Sequence, residues 1–355
     1  MADPNQPRQP RDMKGLLKFC FEATRGEDAP DISDPESVLN NMEPEKRAWL
    51  EQALKNMSVD VVEQLTSGIK ILNSDAADDD EKEEVLDMLE DWLGNIDMAI
   101  NFHKIGGYSC LKKCLQSSSS RIRAGASHLI AEISQNNPYC QDQFISDQFL
   151  ELLLHQLDTD DDDQCQVKAL YAISCISRDT ASSLSTLTSL DAWSVLLRAV
   201  QRDNVKLVTK GCFFLTSAVN TSEEVLSTVE AMGMVIQLVG LLAQTDHVEQ
   251  HHEHVLGALR ALLTRSSAAR DQARHQDLSL ETLLTERMVS VRSDEEHREY
   301  VDHCETVLRL ISPEFIPSDQ WQEVREWQAV PPGCHVKVDL ETGRKMARRD
   351  DQPQR

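Results

Sequence analysis

A helical unit recurs about every 43 residues through the middle of this chain, with the same apolar pattern in each copy. The clearest copies are residues 123–133, 166–176, 209–218 and 252–262. Three columns align at spacings of 42 to 44: Ala126, Ala169, Gly211 and Val255; Ile130, Ile173, Leu215 and Leu259; and Ile133, Ile176, Ala218 and Leu262. One such unit cannot bury its apolar face alone, so the copies must stack on one another.

A period of this length in an all-helical pattern is the signature of armadillo or HEAT repeats. The predicted fold class is therefore all-α: an armadillo-like right-handed superhelical solenoid with flanking helices and disordered tails. Small residues at equivalent sites predict close helix approach, so Ala126, Ala169 and Gly211 should be buried. Because such stacks form an extended concave surface that holds another macromolecule, we expect a binding protein and not an enzyme.

The charge balance narrows the class of partner. The formal net charge is −24, which repels phosphate backbones, so we expect no nucleic acid and favour a protein partner with a basic patch. No stretch approaches 18 consecutive apolar residues, so no membrane span is expected. The nine cysteines include no CxxC pair and the N-terminus has no apolar leader, which favours reduced thiols in the cytoplasm or nucleus. A monomer is expected.

Five regions are predicted along the chain. Residues 1–30 are expected to be a flexible tail that carries a sticky amphipathic segment at 13–21, and residues 31–75 a helical region. Residues 76–84 are predicted to be an acidic linker. The armadillo-repeat domain is predicted over 85–310, closed by capping helices at 279–290 and 294–310, and residues 311–355 are expected to be a charged, proline-containing tail.

The long helix of each repeat has a second face that points away from the core columns. In armadillo proteins this face lines the concave groove and usually carries Trp and, four residues later, Asn. That ladder is absent here, which disfavours the reading of extended peptides such as nuclear import signals. The predicted partner-binding residues are His128, Glu132, Lys168, Tyr171, Cys175, Lys210, Phe213, Ser217, Glu253 and His254. The alternative for Tyr171 and Phe213 is that they extend the core.

Two clusters resemble metal sites, and neither fits the required pattern. Residues 251–254 read His-His-Glu-His, but Leu256 stands where an HExxH motif needs its second histidine. Residues 158–163 share only acidity with a calcium loop, since Asp163 and Ala169 stand where Gly and Glu are required. No phosphate-binding or nucleophile motif is present, so we expect no catalytic residue, metal or cofactor. A hydrolase that uses the histidine cluster is the least favoured class.

Five strings together resemble the armadillo-type nucleotide exchange factors of heat-shock protein 70 chaperones, over roughly residues 13–310: residues 46–51, 167–176, 190–199, 233–239 and 252–259. The resemblance implies that the concave face embraces one lobe of the chaperone ATPase domain, displaces the other and releases ADP. It also implies that Leu16, Leu17, Lys18 and Phe19 mimic a chaperone substrate and act on the substrate-binding domain. Because no signal peptide is recognised in the sequence, the chain resembles the cytosolic branch of this family.

Two alternatives stay open. The first is a generic armadillo scaffold, such as an adaptor in ubiquitin transfer or transport, which a nucleotide-release assay would separate from an exchange factor. The second alternative is that residues 13–21 dock onto the protein's own first helices instead of acting on the chaperone.

Overall fold

A computed structural model gives the structure of residues 61–178, 180–292 and 294–312, with the backbone of two short strands at 336–338 and 345–347. The chain divides into two compact units, Met1–Ser67 and Gly68–Arg355, and the repeats lie in the second. The predicted tail at 1–30, its segment at 13–21, and the helical region before residue 61 lie outside the described residues.

Helices of two lengths alternate in a regular order. In the described part of the chain, two helices precede the repeats, α1 (Val61–Asn73) and α2 (Asp79–Leu93). Four repeats follow, each with two short helices and one long helix: α3 (Ile96–Lys104), α4 (Gly107–Leu115) and α5 (Ser120–Ser134); α6 (Pro138–Ser146), α7 (Phe149–Thr159) and α8 (Asp163–Ser177); α9 (Ala181–Ser189), α10 (Ala192–Val200) and α11 (Val205–Thr221); α12 (Glu223–Ala231), α13 (Met234–Leu242) and α14 (His252–Arg265).

The stack closes with α15 (Ser267–Ala273), α16 (Leu280–Val291) and α17 (Arg298–Ile311), with 3-10 turns at Gln276–Leu278 and Glu295–His297. The two capping helices predicted at 279–290 and 294–310 are therefore present. Within the described ranges no single helix is long and apolar enough to cross a membrane, and only α12 with α13, bent by 69° at their junction, reach that length and apolarity as a pair.

A left-handed residue separates the first two helices of every repeat. Gly106 and Gly233 hold this place with φ values of 88° and 71°, which glycine adopts without a Cβ clash. Gln148, Asp191 and Ser279 hold it in the other units, where stacking of the helices must impose the conformation.

The long helices stack directly on one another, α2 on α5, α5 on α8, and onward through α11, α14 and α17. Ala126, Ala169 and Gly211 are buried in this stack, as predicted from their small size. A Cβ added at Gly211 would collide with the side chain of Val200. Val200 lies on α10, so the absence of a side chain at Gly211 lets the short helix pack closely on the long helix of the same repeat.

The acidic linker predicted at residues 76–84 is wrong from residue 79 onward, because α2 begins there. The Asp78 side chain accepts a hydrogen bond from the Glu81 backbone N–H at 2.8 Å and caps the helix. Asp79, Asp80 and Glu81 occupy the first turn, where unpaired N–H groups and the helix dipole favour negative charge. The acidic run thus starts a helix.

The C-terminal region predicted as a charged tail contains an antiparallel pair of strands, β1 (Val336–Val338) and β2 (Lys345–Ala347). Val336 lies opposite Ala347, and Val338 opposite Lys345. Three-residue strands are shorter than the segments in which sequence alternation can be recognised, so the sequence analysis did not detect them.

Ion pairs tie successive repeats together at their edges. Arg123 Nε and Asp160 Oδ2 lie 2.7 Å apart, with the side chains only 19% and 5% exposed. Burial alone raises the pKa of the Asp160 carboxyl, but hydrogen bonds from Arg123 and from the Asp162 N–H outweigh burial and lower this pKa. Arg121 makes similar bonds to Asp80 and Glu83, and these side chains are largely exposed.

We predict that Arg123→Ala destabilises the fold by about 3 kcal/mol, because it leaves the Asp160 carboxylate buried without its partner. The wild-type pair stabilises the fold above the unfolded carboxyl pKa, and its contribution is lost as pH falls through the lower folded pKa, so the variant should also lose less stability on acidification. Urea unfolding at pH 7 and pH 3 measures both effects. Arg121→Ala is the control, and equal losses for the two variants would contradict the prediction.

Candidate partner-binding face

Polar side chains from successive long helices meet on one continuous surface, here called the inner face. It begins at Glu90 on α2, whose Oε1 lies 3.3 Å from His128 Nε2 on α5. The other ring nitrogen of His128 lies 3.8 Å from Glu132 Oε1, one turn further along α5. Two carboxylates thus flank one imidazole, and this end of the inner face is acidic.

Tyr171 on α8 continues the surface. Its hydroxyl donates to Glu132 Oε1 at 3.3 Å and accepts from Gln135 Nε2 at 2.6 Å, which fixes the ring across the junction with α5. Lys210 on α11 places its Nζ 4.4 Å from the centroid of that ring. Burial, followed by the nearby Cys175 and Glu132, raises the pKa of Tyr171, so the hydroxyl stays protonated at neutral pH.

Lys168 lies one turn before Tyr171 on α8 and is half-buried. Burial is the largest influence on its pKa and lowers it, and the positive charges of Lys210 and Lys206 act in the same direction. Glu90 and Glu132 oppose this shift. The centre of the inner face therefore concentrates lysines within electrostatic reach of one another.

Phe213 on α11 presents an apolar side chain to solvent, 53% exposed. The guanidinium of Arg178 lies over its ring at 5.2 Å and donates to Ser174 Oγ at 3.1 Å. The alternative that Phe213 extends the core is therefore wrong, because its neighbour Phe214 occupies the core, 2% exposed. Tyr171 and Ser217 are both half-buried.

Residues Glu253 and His254 lie at the far end, on α14, with 3.5 Å between Glu253 Oε1 and His254 Nε2. The next long helix, α17, brings His303 against Gly257, where an added Cβ would lie 3.6 Å from the imidazole. Burial, then the charge of Arg260, lowers the pKa of His303. A groove between α14 and α17 includes Glu253 and Arg260 with Glu299 and Asp302, so this end is again acidic.

Cys175 does not lie on the accessible surface. It is 6% exposed, and its backbone carbonyl accepts a hydrogen bond from Gln141 Nε2 of α6 at 3.0 Å. Burial raises the pKa of its thiol to about 11. Because its side chain is buried, the prediction of Cys175 as an accessible groove residue is wrong.

The histidine cluster at 251–254 is spread over different environments. His252 is buried, accepts a hydrogen bond from the Glu249 N–H at Nδ1 (3.2 Å), and burial with the nearby His251 lowers its pKa to about 4. His251 instead pairs with Glu249, at 3.4 Å. Within the described ranges no group of three or more His, Cys, Asp or Glu side chains has the arrangement needed to hold a metal ion.

Several inner-face residues escaped the sequence analysis: Glu90, Gln135, Arg178, Lys206, Arg260 and His303. Glu90 precedes Glu132 by one repeat spacing, so extending the columns to α2 would have found it. Arg178 and Gln135 follow the ends of their helices, where the helical pattern stops. The predicted segment with Leu16, Leu17, Lys18 and Phe19 lies outside the described residues.

Comparison with known proteins agrees with this architecture. Family profiles described as Nucleotide exchange factor Fes1, SIL1/FES1/HPBP1 C-terminal domain, and Nucleotide exchange factor Sil1 small beta-sheet domain match residues 13–102, 98–183 and 315–343. Hsp70-binding protein 1 of Macaca fascicularis is 36% identical over 317 residues, 85% of each chain. The chain belongs to the SIL1/FES1/HPBP1 family of Hsp70 nucleotide exchange factors.

Two further relatives are similar to this chain over very different lengths. Hsp70-binding protein 1 of Homo sapiens is 35% identical over 316 residues, 85% of this chain and 86% of that protein. Nucleotide exchange factor Sil1 of Drosophila melanogaster is 43% identical over 42 residues, 12% of this chain and 10% of that protein. The chain is thus similar both to Hsp70-binding protein 1 and, over a short segment, to Sil1.

A designed armadillo repeat protein in complex with a (KR)4 peptide matches with a TM-score of 0.59 at 18% identity, over 70% of this chain and 99% of the design. The armadillo-like all-α fold predicted from the repeat period is confirmed.

We predict that Phe213→Ala lowers the free energy of unfolding by less than about 1 kcal/mol, because it removes an exposed ring and one cation–π contact. Phe214→Ala should cost about 3–5 kcal/mol, because it empties a buried site. Chemical denaturation of the two variants makes the comparison within one helix. Similar losses would show that Phe213 is part of the core and not of the inner face.

Proposed function

We propose that this protein binds the ATPase domain of a heat-shock protein 70 chaperone through its inner face and promotes release of ADP. The observation that supports the proposal most strongly is the accessible aromatic and cationic centre of that face, formed by Tyr171, Lys210 and Phe213 on adjacent long helices. Aromatic residues surrounded by polar groups are typical anchors of protein interfaces. Family membership favours this function over a generic armadillo scaffold.

The proposed exchange mechanism is mechanical and not catalytic. The stacked long helices act as a rigid curved support that holds one lobe of the ATPase domain, so the other lobe is displaced and the nucleotide cleft opens. Under this proposal the protein acts as a monomer in the cytosol and carries no catalytic group. The reduced state of its described cysteines, all of which are free and buried, fits a reducing compartment.

The double variant Lys168→Ala/Tyr171→Ala should weaken binding of the isolated ATPase domain by about 30-fold, since loss of interface anchors typically costs about 2 kcal/mol or more. Calorimetry with the full chain, with and without ATP, measures the affinity, and release of a fluorescent ADP measures the activity. The unfolding midpoint of the variant shows whether the fold is intact.

Two outcomes of that experiment are informative. Unchanged affinity in a folded double variant would move the contact away from the inner face. Absence of binding by the wild-type protein would contradict the proposed function itself.

We propose further that residues 13–21 act on the substrate-binding domain of the chaperone. Leu16, Leu17 and Phe19 form a short apolar segment, and Lys14 and Lys18 supply positive charge beside it. Apolar side chains in an N-terminal segment require a binding site, and a chaperone's substrate site accepts short Leu-rich segments of this kind. The competing possibility is that the segment docks onto the protein's own helices.

Deletion of residues 1–25 should leave ADP release nearly unchanged, because the repeats carry that activity, but should slow release of a pre-bound fluorescent peptide from the chaperone. Stopped-flow fluorescence measures both rates with the full-length chaperone. A variant with Leu16, Leu17 and Phe19 changed to Ser keeps the segment's length and charge and should behave like the deletion. Equal peptide release by all three proteins would favour docking on the protein's own helices.

A further inference from the structure

The inner face is divided by charge into three zones along the stack. Glu90 and Glu132 make the first zone acidic, and the groove with Glu253 and Glu299 makes the last zone acidic. The middle zone carries the opposite charge. We call it the cationic seam and define it by Lys168, Arg178, Lys206 and Lys210, which lie at the junction of α8 and α11.

The seam collects basic side chains in a strongly acidic protein. The chain has 60 acidic and 36 basic residues, and some basic groups pair with carboxylates, such as Arg123 with Asp160 and Arg198 with Asp158. Among the described residues, none of the four seam side chains forms an ion pair. The buried Arg178 Nε likewise has no hydrogen-bond partner within the described part of the chain.

Like charges are crowded within the seam. Lys168 is half-buried, and the charges of Lys206 and Lys210 disfavour its own, while Glu90 and Glu132 at the edge of the seam favour it. Lys210 Nζ lies over the face of the Tyr171 ring, an interaction weaker than a hydrogen-bonded carboxylate. A carboxylate bound at the seam would therefore reduce the repulsion among its cations and form ion pairs with them.

The long helices pack unevenly on either side of α8. Helix α8 packs more extensively on α5 than on α11, so the seam lies where two successive long helices are in less contact. Phe213 projects from α11 beside the seam and is half in solvent. An incoming segment thus meets cations along one line and an apolar ring next to them.

We propose that the cationic seam binds a short acidic segment of the ATPase domain, with Asp or Glu carboxylates against Lys206, Lys210 and Arg178 and an apolar side chain against Phe213. This inference rests on the proposed function and specifies its contact. The net charge of −24 predicts a partner with a basic patch. The seam instead receives an acidic segment at the centre of the binding face. The seam then fixes the position of the partner along the stack, because only one zone attracts carboxylates.

The flanking zones decide against a long polyanion. A nucleic-acid strand or a polyphosphate that entered the seam would continue toward Glu132 on one side and Glu253 on the other, whose negative charges repel phosphate groups. Repulsion there restricts the occupant to a short acidic segment. A folded protein surface offers such a segment between neutral or basic neighbours.

The test compares two charge-reversal variants of the full chain. Lys206→Glu/Lys210→Glu reverses the seam, and Lys104→Glu/Lys112→Glu makes the same change in net charge on the short helices α3 and α4. We expect the seam variant to bind the isolated ATPase domain about 30-fold more weakly than the control variant at 0.05 M salt. The ratio should fall below about fivefold at 0.5 M salt, because salt screens charge contacts.

Zero-length carbodiimide coupling identifies the occupant, since it joins a lysine Nζ to a carboxylate in contact with it. Coupling of Lys206 or Lys210 to Asp or Glu of the ATPase domain supports the proposal. Coupling to this chain's own acidic residues at 26–36 would overturn it and make the seam an internal contact. Equal affinity of the two variants, with wild-type binding intact, would also overturn it, whereas loss of binding by the wild type would count against the proposed function instead.

Discussion

The packing of each long helix on the next is the constraint on which the rest of the structure depends. Ala126 and Ala169 are fully buried in this stack, and Gly211 lets the short helix α10 pack closely on α11, where an added Cβ would collide with Val200. Because the helices approach closely, side chains one repeat apart reach each other across the stack. Glu90 therefore contacts His128, and Tyr171 contacts Glu132, although each pair is about 40 residues apart in sequence.

A face assembled in this way has properties that no single repeat possesses. Its chemistry changes from acidic to cationic and back to acidic as successive helices contribute different side chains at equivalent positions. The rigid supports are the buried columns, and the variable positions lie between them. Because the two sets of positions are separate, a solenoid can keep its fold while the order of charges and aromatic rings along its surface determines which partner binds.

The repeat period predicted the fold because the core columns are spaced regularly and obey helical geometry. It also located Lys168, Tyr171, Lys210 and Phe213 on the inner face. It misplaced Cys175, since a spacing of four residues only approximates the 3.6 residues of a helical turn and the Cys175 side chain is buried. The acidic run at 79–84 forms a helix and not the predicted linker, because capping by Asp78 and attraction to the helix dipole outweigh charge crowding. The paired strands near the C-terminus were too short to recognise.

Hydroxyl-radical footprinting of the full chain tests the central claim, that the inner face receives the ATPase domain. Phe213 on the inner face and Tyr139 on the short helix α6 are both exposed aromatic residues, so each reports on its own surface. Addition of the ATPase domain in the absence of ATP should reduce oxidation of Phe213 severalfold and leave Tyr139 unchanged. Protection of Tyr139 with full oxidation of Phe213, in a complex shown to form, would contradict the account.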